Sequence, residues 1–599
     1  MPIASLIAPL IISSGLSLVI SSFASADSLL TTAEQTQFKK TGRYDEVILL
    51  CSAFQKTYPK QVRCFDFGFT PEGRPMKALA VSSAGHLDAT SARAAGDPIL
   101  LIQGGIHAGE IDGKDAGFWW IREALEKKNE ALKYVTIVFV PVFNIDGHER
   151  FAALNRPNQV GPEEMGWRVT AWNLNLNRDY TKADAPEMQS MLRLMNDWDP
   201  IVYADLHVTD GAKFQHAISI GFLPGHLSLK APGMPAGNRR LIELASELEK
   251  HVKSYLDDKG YLALTLYPEF VRRDDPASGF EDSLSHPRFS HGYASTRNRI
   301  GLLLETHSWK DYATRVRSTY DTIEALVNSA AKDGKNWVQA AHAADEAMTK
   351  SAPGSKLVLR YEASKKSHPI DFQGYEFKTE DSEISGQKRI IYDETKKQVW
   401  TVPLFDDLQP SLTVTLPKAG YIVEAAHAEW VAGKLQLHGV RYEVLKKPLS
   451  KFKLETFRSD SPEFSAKPNE GRQTLKVTGA WKKEKRDVIA GALFIPVGQP
   501  HAVLLANLLE PLSDESFLSW GFFNAFFERK EYMEDYVAED VARELLKNPA
   551  MRAEFETQLK DKEFAKDSNR RLEFFYRRHS SWDDRLGLYP IYRVSKNPI

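Results

Sequence analysis

The chain has 599 residues, more than one hydrophobic core supports, which points to two or three domains at about 150 residues each. With 43% hydrophobic and 26% charged residues it is built to fold rather than to stay disordered, and a net charge of -2 gives no broad electrostatic footprint for nucleic acid or an anionic membrane. Only two cysteines occur, Cys51 and Cys64, so a disulfide framework and a cysteine-rich metal cluster are both excluded, and any metal must be held by His, Asp or Glu.

Residues 3 to 22 are apolar or small and end in Phe23-Ala24-Ser25-Ala26, with small residues where a signal peptidase reads. A signal peptide over 1–26, cleaved near Ala26, is therefore expected, although no basic residue precedes the apolar run. No later stretch approaches about 18 continuous apolar residues, so the mature chain is expected to be secreted or periplasmic with no stable membrane insertion. In an oxidising compartment Cys51 and Cys64 either bond or remain two buried thiols, and the sequence leaves both open.

From about residue 44 to 310 strand-like and helix-like segments alternate. Predicted strands are Met76 to Val81, Pro98 to Gln103, Tyr134 to Val142, Ile201 to Leu206 and Gly301 to Leu304. Predicted helices are Asp115 to Lys128, Asp184 to Asp197, Asn238 to Asp257 and Asp311 to Val327. The fold class expected is α/β, a mixed, mostly parallel sheet flanked by helices. Ser351-Ala352-Pro353-Gly354-Ser355 punctuates the chain and sets a domain boundary near 350. Residues 351–515 read as a β-rich, sandwich-like module of short strands between charged or Gly/Pro turns. Residues 516–599 read as a mostly helical C-terminal segment packed on the rest, its aromatics forming core.

In parallel α/β sheets the site lies beyond the carboxyl ends of the strands, so the polar residues that follow each apolar strand matter most. ILLIQGG is followed by His107 and Glu110, three residues apart on one turn; IVYADL delivers His207, and GLLL delivers Glu305. Two His and a Glu make the three-ligand set of an open catalytic zinc site, with the fourth position left for water. A further carboxylate, Glu305, fits the general base that takes and returns the proton of that water. Each piece alone has a bland explanation, since a lone His-x-x-Glu arises often by chance, but their joint occurrence at successive strand ends is specific. No Gly-x-Ser-x-Gly elbow, dinucleotide fingerprint or phosphate loop competes.

Over about residues 40 to 325 the chain resembles the zinc metallocarboxypeptidase family of the carboxypeptidase A type. The resemblance rests on Gly104-Gly105-Ile106-His107-Ala108-Gly109-Glu110, Asn144-Ile145-Asp146-Gly147, Asn175-Leu176-Asn177-Arg178-Asp179-Tyr180, Asp205-Leu206-His207 and Leu304-Glu305. It implies a catalytic domain over 27–350 with one Zn2+ held by His107, Glu110 and His207, and Glu305 as general base and acid. It also implies that Asn177 and Arg178 bind the substrate's terminal carboxylate and that Arg168, nine residues before Asn177, polarises the scissile carbonyl, with Arg156 as second choice. A planar guanidinium suits bidentate carboxylate recognition. Glu187 is expected to support the packing around these arginines, Tyr293 to be a structural aromatic, and His216, His291 and His307 to be structural or at the surface. The family's mobile tyrosine has no counterpart around Phe280 to Leu284.

The function expected is a secreted zinc metallocarboxypeptidase acting on peptides with a free C-terminal carboxylate, with no nucleic-acid partner. One alternative is an amidohydrolase of the same fold acting on peptidoglycan stem peptides or N-acyl amino acids. A second is a non-catalytic, zinc-containing binding protein.

Overall fold

A computed structural model describes residues 29–209, 212–233 and 239–599; the expected leader, 1–26, lies outside the described residues. In chain order the first strands are β1 (Val62–Phe69), β2 (Pro75–Val81), β3 (Ile99–Gly104), β4 (Thr136–Val140), β5 (Val202–Val208), β6 (Ile218–Leu223), the two-residue β7 (Phe280–Glu281) and β8 (Ile300–Thr306). All but β7 join one sheet in the order β1-β2-β4-β3-β5-β8-β6. Its centre, β4, β3, β5 and β8, is parallel, while β1, β2 and β6 attach antiparallel at the flanks. This is the mixed, mostly parallel sheet that the sequence implied. The central strands are covered on both faces, which is why ILLIQG and IGLLLET read as near-continuous apolar runs. The flanking β1 carries Arg63 and Asp66 on a half-exposed strand, a pattern too polar to stand out.

Helices Tyr44–Thr57, Asp112–Glu126, Pro186–Trp198, Arg239–Asp258, Ser290–Thr296 and Tyr312–Ser351 flank the sheet. The last was expected to stop at Val327 but runs for 40 residues, because Ala330, Trp337, Ala341, Ala344 and Met348 prolong its buried stripe. Helix Tyr44–Thr57 is stapled to β1 by a disulfide between Cys51 and Cys64, whose Cα atoms lie 5.4 Å apart. Among the described residues no helix is long and apolar enough to cross a membrane.

The second half contributes β9 (Lys356–Ala363), β10 (His368–Asp381), β11 (Lys388–Phe405), β12 (Leu408–Thr415), β13 (Gly420–Val423), β14 (Glu443–Val444), β15 (Leu449–Phe464), β16 (Leu475–Val488), β17 (Leu493–Pro496) and β18 (Ile591–Val594). They distribute over three sheets: β9 with β12, the β10–β11 hairpin with β7, and β14-β17-β13-β18-β15-β16. Both β7, from the first half, and β18, from the tail, are thus drawn into sheets of the middle segment. One apolar core runs from the parallel sheet through Tyr421, Phe457, Leu508, Phe517 and Tyr589, so the two halves share an interior. Of the tail's aromatics, Phe517, Phe523, Phe527 and Tyr589 join that core, whereas Phe555, Phe564, Phe574 and Phe575 form a separate cluster.

Candidate active site

The parallel register sets the site. Gln103 pairs with Asp205 across β3 and β5, and His207 with Glu305 across β5 and β8, so the carboxyl ends of these strands open onto one crevice. After β3 the chain turns sharply at Gly105, whose φ of +62° suits glycine, and delivers His107 and Glu110 just before helix Asp112–Glu126. Gly109 has a second reason: a Cβ there would lie 2.7 Å from Arg156 Cδ, in the space the arginine uses to reach Glu110.

Glu110 is the hub. One carboxylate oxygen lies 2.9 Å from His107 Nδ1 and the other 2.9 Å from His207 Nδ1. The ligand atoms of the three residues all lie within 4.8 Å of one another. Each imidazole is oriented through its other nitrogen. His207 Nε2 is 2.7 Å from Asp205 Oδ2, and His107 Nε2 is 3.1 Å from Asn175 Oδ1. In the neutral rings that a metal requires, Nε2–H would donate outwards to Asp205 and Asn175 and leave Nδ1 of each as the ligand atom. Two imidazole nitrogens and a carboxylate suit zinc, and the donor set therefore fits the ion that the motifs imply.

Charge is balanced tightly here. Against the effect of burial, Arg156 and His107 hold the Glu110 carboxyl well below the usual carboxylate range. Arg156 donates to Glu110 at 2.6 Å and Arg168 at 3.2 Å. Burial alone would lower His207, but Asp205 and Glu110 hold it well above the ordinary histidine range. Burial dominates at His107 and brings it down to about 4. Burial pushes Glu305 up to about 8, with Glu110 adding to the effect and His207 opposing it. One of its carboxylate oxygens is buried without any hydrogen-bond partner. An orphaned carboxylate beside a metal-ligand triad is what a site awaiting a proton-bearing ligand contains.

His107, Glu110, His207, Glu305, Arg168, Asn177 and Arg178 all line one cavity of about 370 Å³. Asn175 caps the short helix Leu176–Arg178 by accepting from Asn177 N–H at 3.0 Å, which turns both Asn177 and Arg178 towards the cavity. Asn177 Oδ1 accepts from Ser290 N–H at 3.1 Å, leaving its NH2 group facing His207. Arg178 is half-buried, donates to the Asn177 carbonyl and stacks over Phe289 at 4.4 Å. It makes no salt bridge among the described residues, and burial with Arg168 nearby lowers its pKa. A desolvated guanidinium in that state attracts an anion. Arg168 side-chain exposure is 36%, whereas that of Arg156 is 7%, so of the two only Arg168 can reach a ligand in the cavity.

A side chamber of about 60 Å³ opens beside Glu305, lined by Leu303, Ile220, Phe222, Glu249 and Asp282. Tyr267 and, from β9 of the second half, Tyr361 reach the main cavity. Glu515, the last residue of the 351–515 segment, braces its wall without lining it, accepting from Arg288 at 2.7 Å and from Thr181 at 2.9 Å. Of the residues given other roles, Tyr293 is buried in the core, and His307 is buried with its ring stacked on Phe214 at 4.2 Å. His291 lines the cavity rather than lying at the surface, with Nε2 2.5 Å from Ser285 Oγ. Glu187 makes no hydrogen bond to either arginine, and its two oxygens are buried without partners.

The sequence reading assigned no role to Asp205 or Asn175. Asp205 had a signal, since residues two apart on a strand share a face and Asp205 precedes His207 by two. Asn175 orients His107 across the loop, and no local pattern reports that.

Residues 48–214 match the family model described as zinc carboxypeptidase. No curated protein matches the chain. Among solved structures, a putative carboxypeptidase A from Shewanella denitrificans is 19% identical, with 48% of this chain and 68% of that one aligned at a TM-score of 0.35. The carboxypeptidase A of Helicoverpa armigera is 15% identical over 50% of this chain and 75% of its own, also at 0.35. A metallo-carboxypeptidase from Pseudomonas aeruginosa is 16% identical over 47% and 68%, at 0.33. The match over 48–214 contains all three metal-ligand candidates, so the part of the chain that carries them is similar to zinc carboxypeptidases.

Proposed function

We propose that this protein is a zinc metallocarboxypeptidase that hydrolyses the C-terminal peptide bond of peptide substrates. The observation that carries this reading is the arrangement in one cavity of a His107–Glu110–His207 triad, a Glu305 carboxylate with one oxygen lacking a hydrogen-bond partner, and an Arg178 that makes no salt bridge among the described residues. The triad would hold one Zn2+, which when bound supplies Lewis acidity and lowers the pKa of water to about 7.

The residues of the chain divide the remaining work. Arg178 and the Asn177 amide bind the terminal carboxylate and so fix the register of the last peptide bond. Arg168, reaching into the cavity from beside Glu110, presents a fixed cation to the carbonyl oxygen where negative charge develops, a role worth about 3 kcal/mol for a single donor. Glu305 takes the proton of the attacking water and returns it to the departing amine; burial that raises its pKa towards neutrality suits it to both transfers. Asp205 and Asn175 keep the two imidazoles in the ligand tautomer.

In this reading 27–350 is the catalytic domain, while 351–515 and 516–599 build and brace the walls of its cavity. The bond between Cys51 and Cys64 and the apolar leader favour an oxidising, extracytosolic compartment. The test is release of C-terminal amino acids from a peptide panel with and without chelator. Free-acid peptides should be cleaved and their C-terminal amides spared; equal cleavage of both removes the carboxylate-recognition role of Arg178. Glu305→Gln should keep stoichiometric zinc and lose about 100- to 10,000-fold in kcat.

A further inference from the structure

β15 and β16 form a long hairpin that belongs to the six-stranded sheet of the second half, yet its tip lies against the segment of the first that carries Asn175, Asn177 and Arg178. The tip is the two-residue turn Asn469-Glu470-Gly471-Arg472, closed by paired backbone hydrogen bonds between Asn469 and Arg472 of 2.8 and 3.0 Å. Both central residues are left-handed, with φ of +47° at Glu470 and +75° at Gly471. Glycine suits the second position. A glutamate at the first is unfavourable, since Asn, Asp or Gly normally stands there. Such a choice is tolerated where the side chain is needed for something else.

Its contacts say what that is. A Glu470 carboxylate oxygen accepts from the Asn175 main-chain N–H at 2.8 Å across 295 residues of sequence. Arg472, at the other end of the turn, grips Asp184 with two hydrogen bonds of 2.6 and 2.8 Å while stacking on Phe522 at 3.5 Å. The tip is therefore clamped on both sides of the segment 175–184. Asn175 in turn touches His107 Nε2 through its side chain and caps the helix that carries Asn177 and Arg178. One main-chain anchor thus controls both a metal ligand and the carboxylate clamp.

The geometry points to Glu470 as a positioning residue supplied to the catalytic centre by the second half of the chain: by holding Asn175 it orients His107 and the Asn177–Arg178 pair. The inference rests on the reading of His107 as a metal ligand, not on the nature of the substrate. It makes the hairpin part of the site rather than an appendage to it.

The experiment uses the full chain loaded with zinc, and follows zinc release to excess chelator in wild type, Glu470→Ala and Glu470→Gln, together with kcat and KM on free-acid peptides. Partners that orient a metal ligand from outside the coordination sphere are worth 10- to 100-fold, so Glu470→Ala is expected to release zinc about tenfold faster and to raise KM. Glu470→Gln keeps an acceptor oxygen for Asn175 N–H and is expected to release zinc within about twofold of wild type. Should the Ala variant fail to fold, Glu470→Asp, one methylene too short to reach Asn175, takes its place with the same expectation. Wild-type zinc release from the Ala or Asp variant overturns the proposal, and so does equally fast release from Gln and Ala. A wild-type chain that takes up no zinc overturns it together with the metal-site reading. A chain that cleaves none of the peptides but still shows the zinc-release ranking upholds it while the proposed function falls.

Discussion

Glu187 offers a clean test of how this interior treats charge. It sits in the first turn of helix Pro186–Trp198 with 0% of its surface exposed, and neither carboxylate oxygen has a partner. Burial pushes its pKa up to about 7 from an ordinary 4.5, and the charges of Asp146 and Asp179 add to the rise. Below pH 4.5 the carboxyl is protonated folded or unfolded, and the group imposes no penalty. As the pH rises towards 7 the unfolded chain ionises first, so the stability this group contributes at low pH drains away, and above 7 the loss is complete. At about 1.4 kcal/mol per pH unit the full loss is about 3 kcal/mol. Glu187→Gln abolishes the ionisation but leaves a buried amide short of partners, which costs about 1 kcal/mol at every pH. The variant should therefore be about 2 kcal/mol more stable than wild type at pH 8 and slightly less stable at pH 4. Thermal unfolding of both proteins at pH 4, 6 and 8 reads this as a difference in Tm that changes sign. A variant less stable than wild type at pH 8, or a difference independent of pH, would mean that Glu187 is ionised and well paired, and the argument would fail.

Three further outcomes are expected. Asp205→Asn should weaken zinc binding about 10- to 100-fold in a competition titration, because an amide no longer enforces the Nε2–H tautomer of His207; unchanged affinity would deny the pair that role. Replacing Cys51 and Cys64 together by Ala opens a cross-link between residues 13 apart and should lower stability by about 3 kcal/mol, with the fall abolished when both proteins are measured under reducing conditions. Because Glu249 and Asp282 line the chamber beside Glu305, a peptide ending in Asp or Glu would bring like charges together at a cost of several kcal/mol. Its kcat/KM should fall at least about 100-fold below that of a peptide ending in Leu.

The parts of this molecule that sequence made legible are those where one physical rule acts alone. The doubly covered strands β3, β5 and β8 stand out because burial on both faces leaves them no polar positions, and the residues that follow them are the site. Within the β-rich segment, strands such as β10 and β15 carry a weaker signal for the opposite reason: they are arms of exposed hairpins, half polar and held by cross-strand pairing that no local window contains. The long helix extends past its expected end because its stripe beyond Val327 is mostly small residues, Ser, Gly and Ala with only Trp337 and Met348 among them, which carry little hydrophobic signal. At the site itself, His107, Glu110, His207 and Glu305 followed from strand ends. Spacing ranked Arg168 ahead of Arg156 and burial supplies the physical difference between them, while Glu470 meets Asn175 only once the whole fold has brought the two together.

The position of β18 has a kinetic meaning. Its four residues bridge β13 and β15, which do not pair with each other, so the six-stranded sheet stays in two pieces until residues 591–594 arrive. Contacts spanning some 170 residues carry a large loop-closure entropy and form late. The hairpin that bears Glu470 hangs from β15 and is seated by the same event. Until residues 591–594 pair, the loop that carries Asn175 would stay unbraced by Glu470, which ties the shaping of the cavity to the closure of a distant sheet.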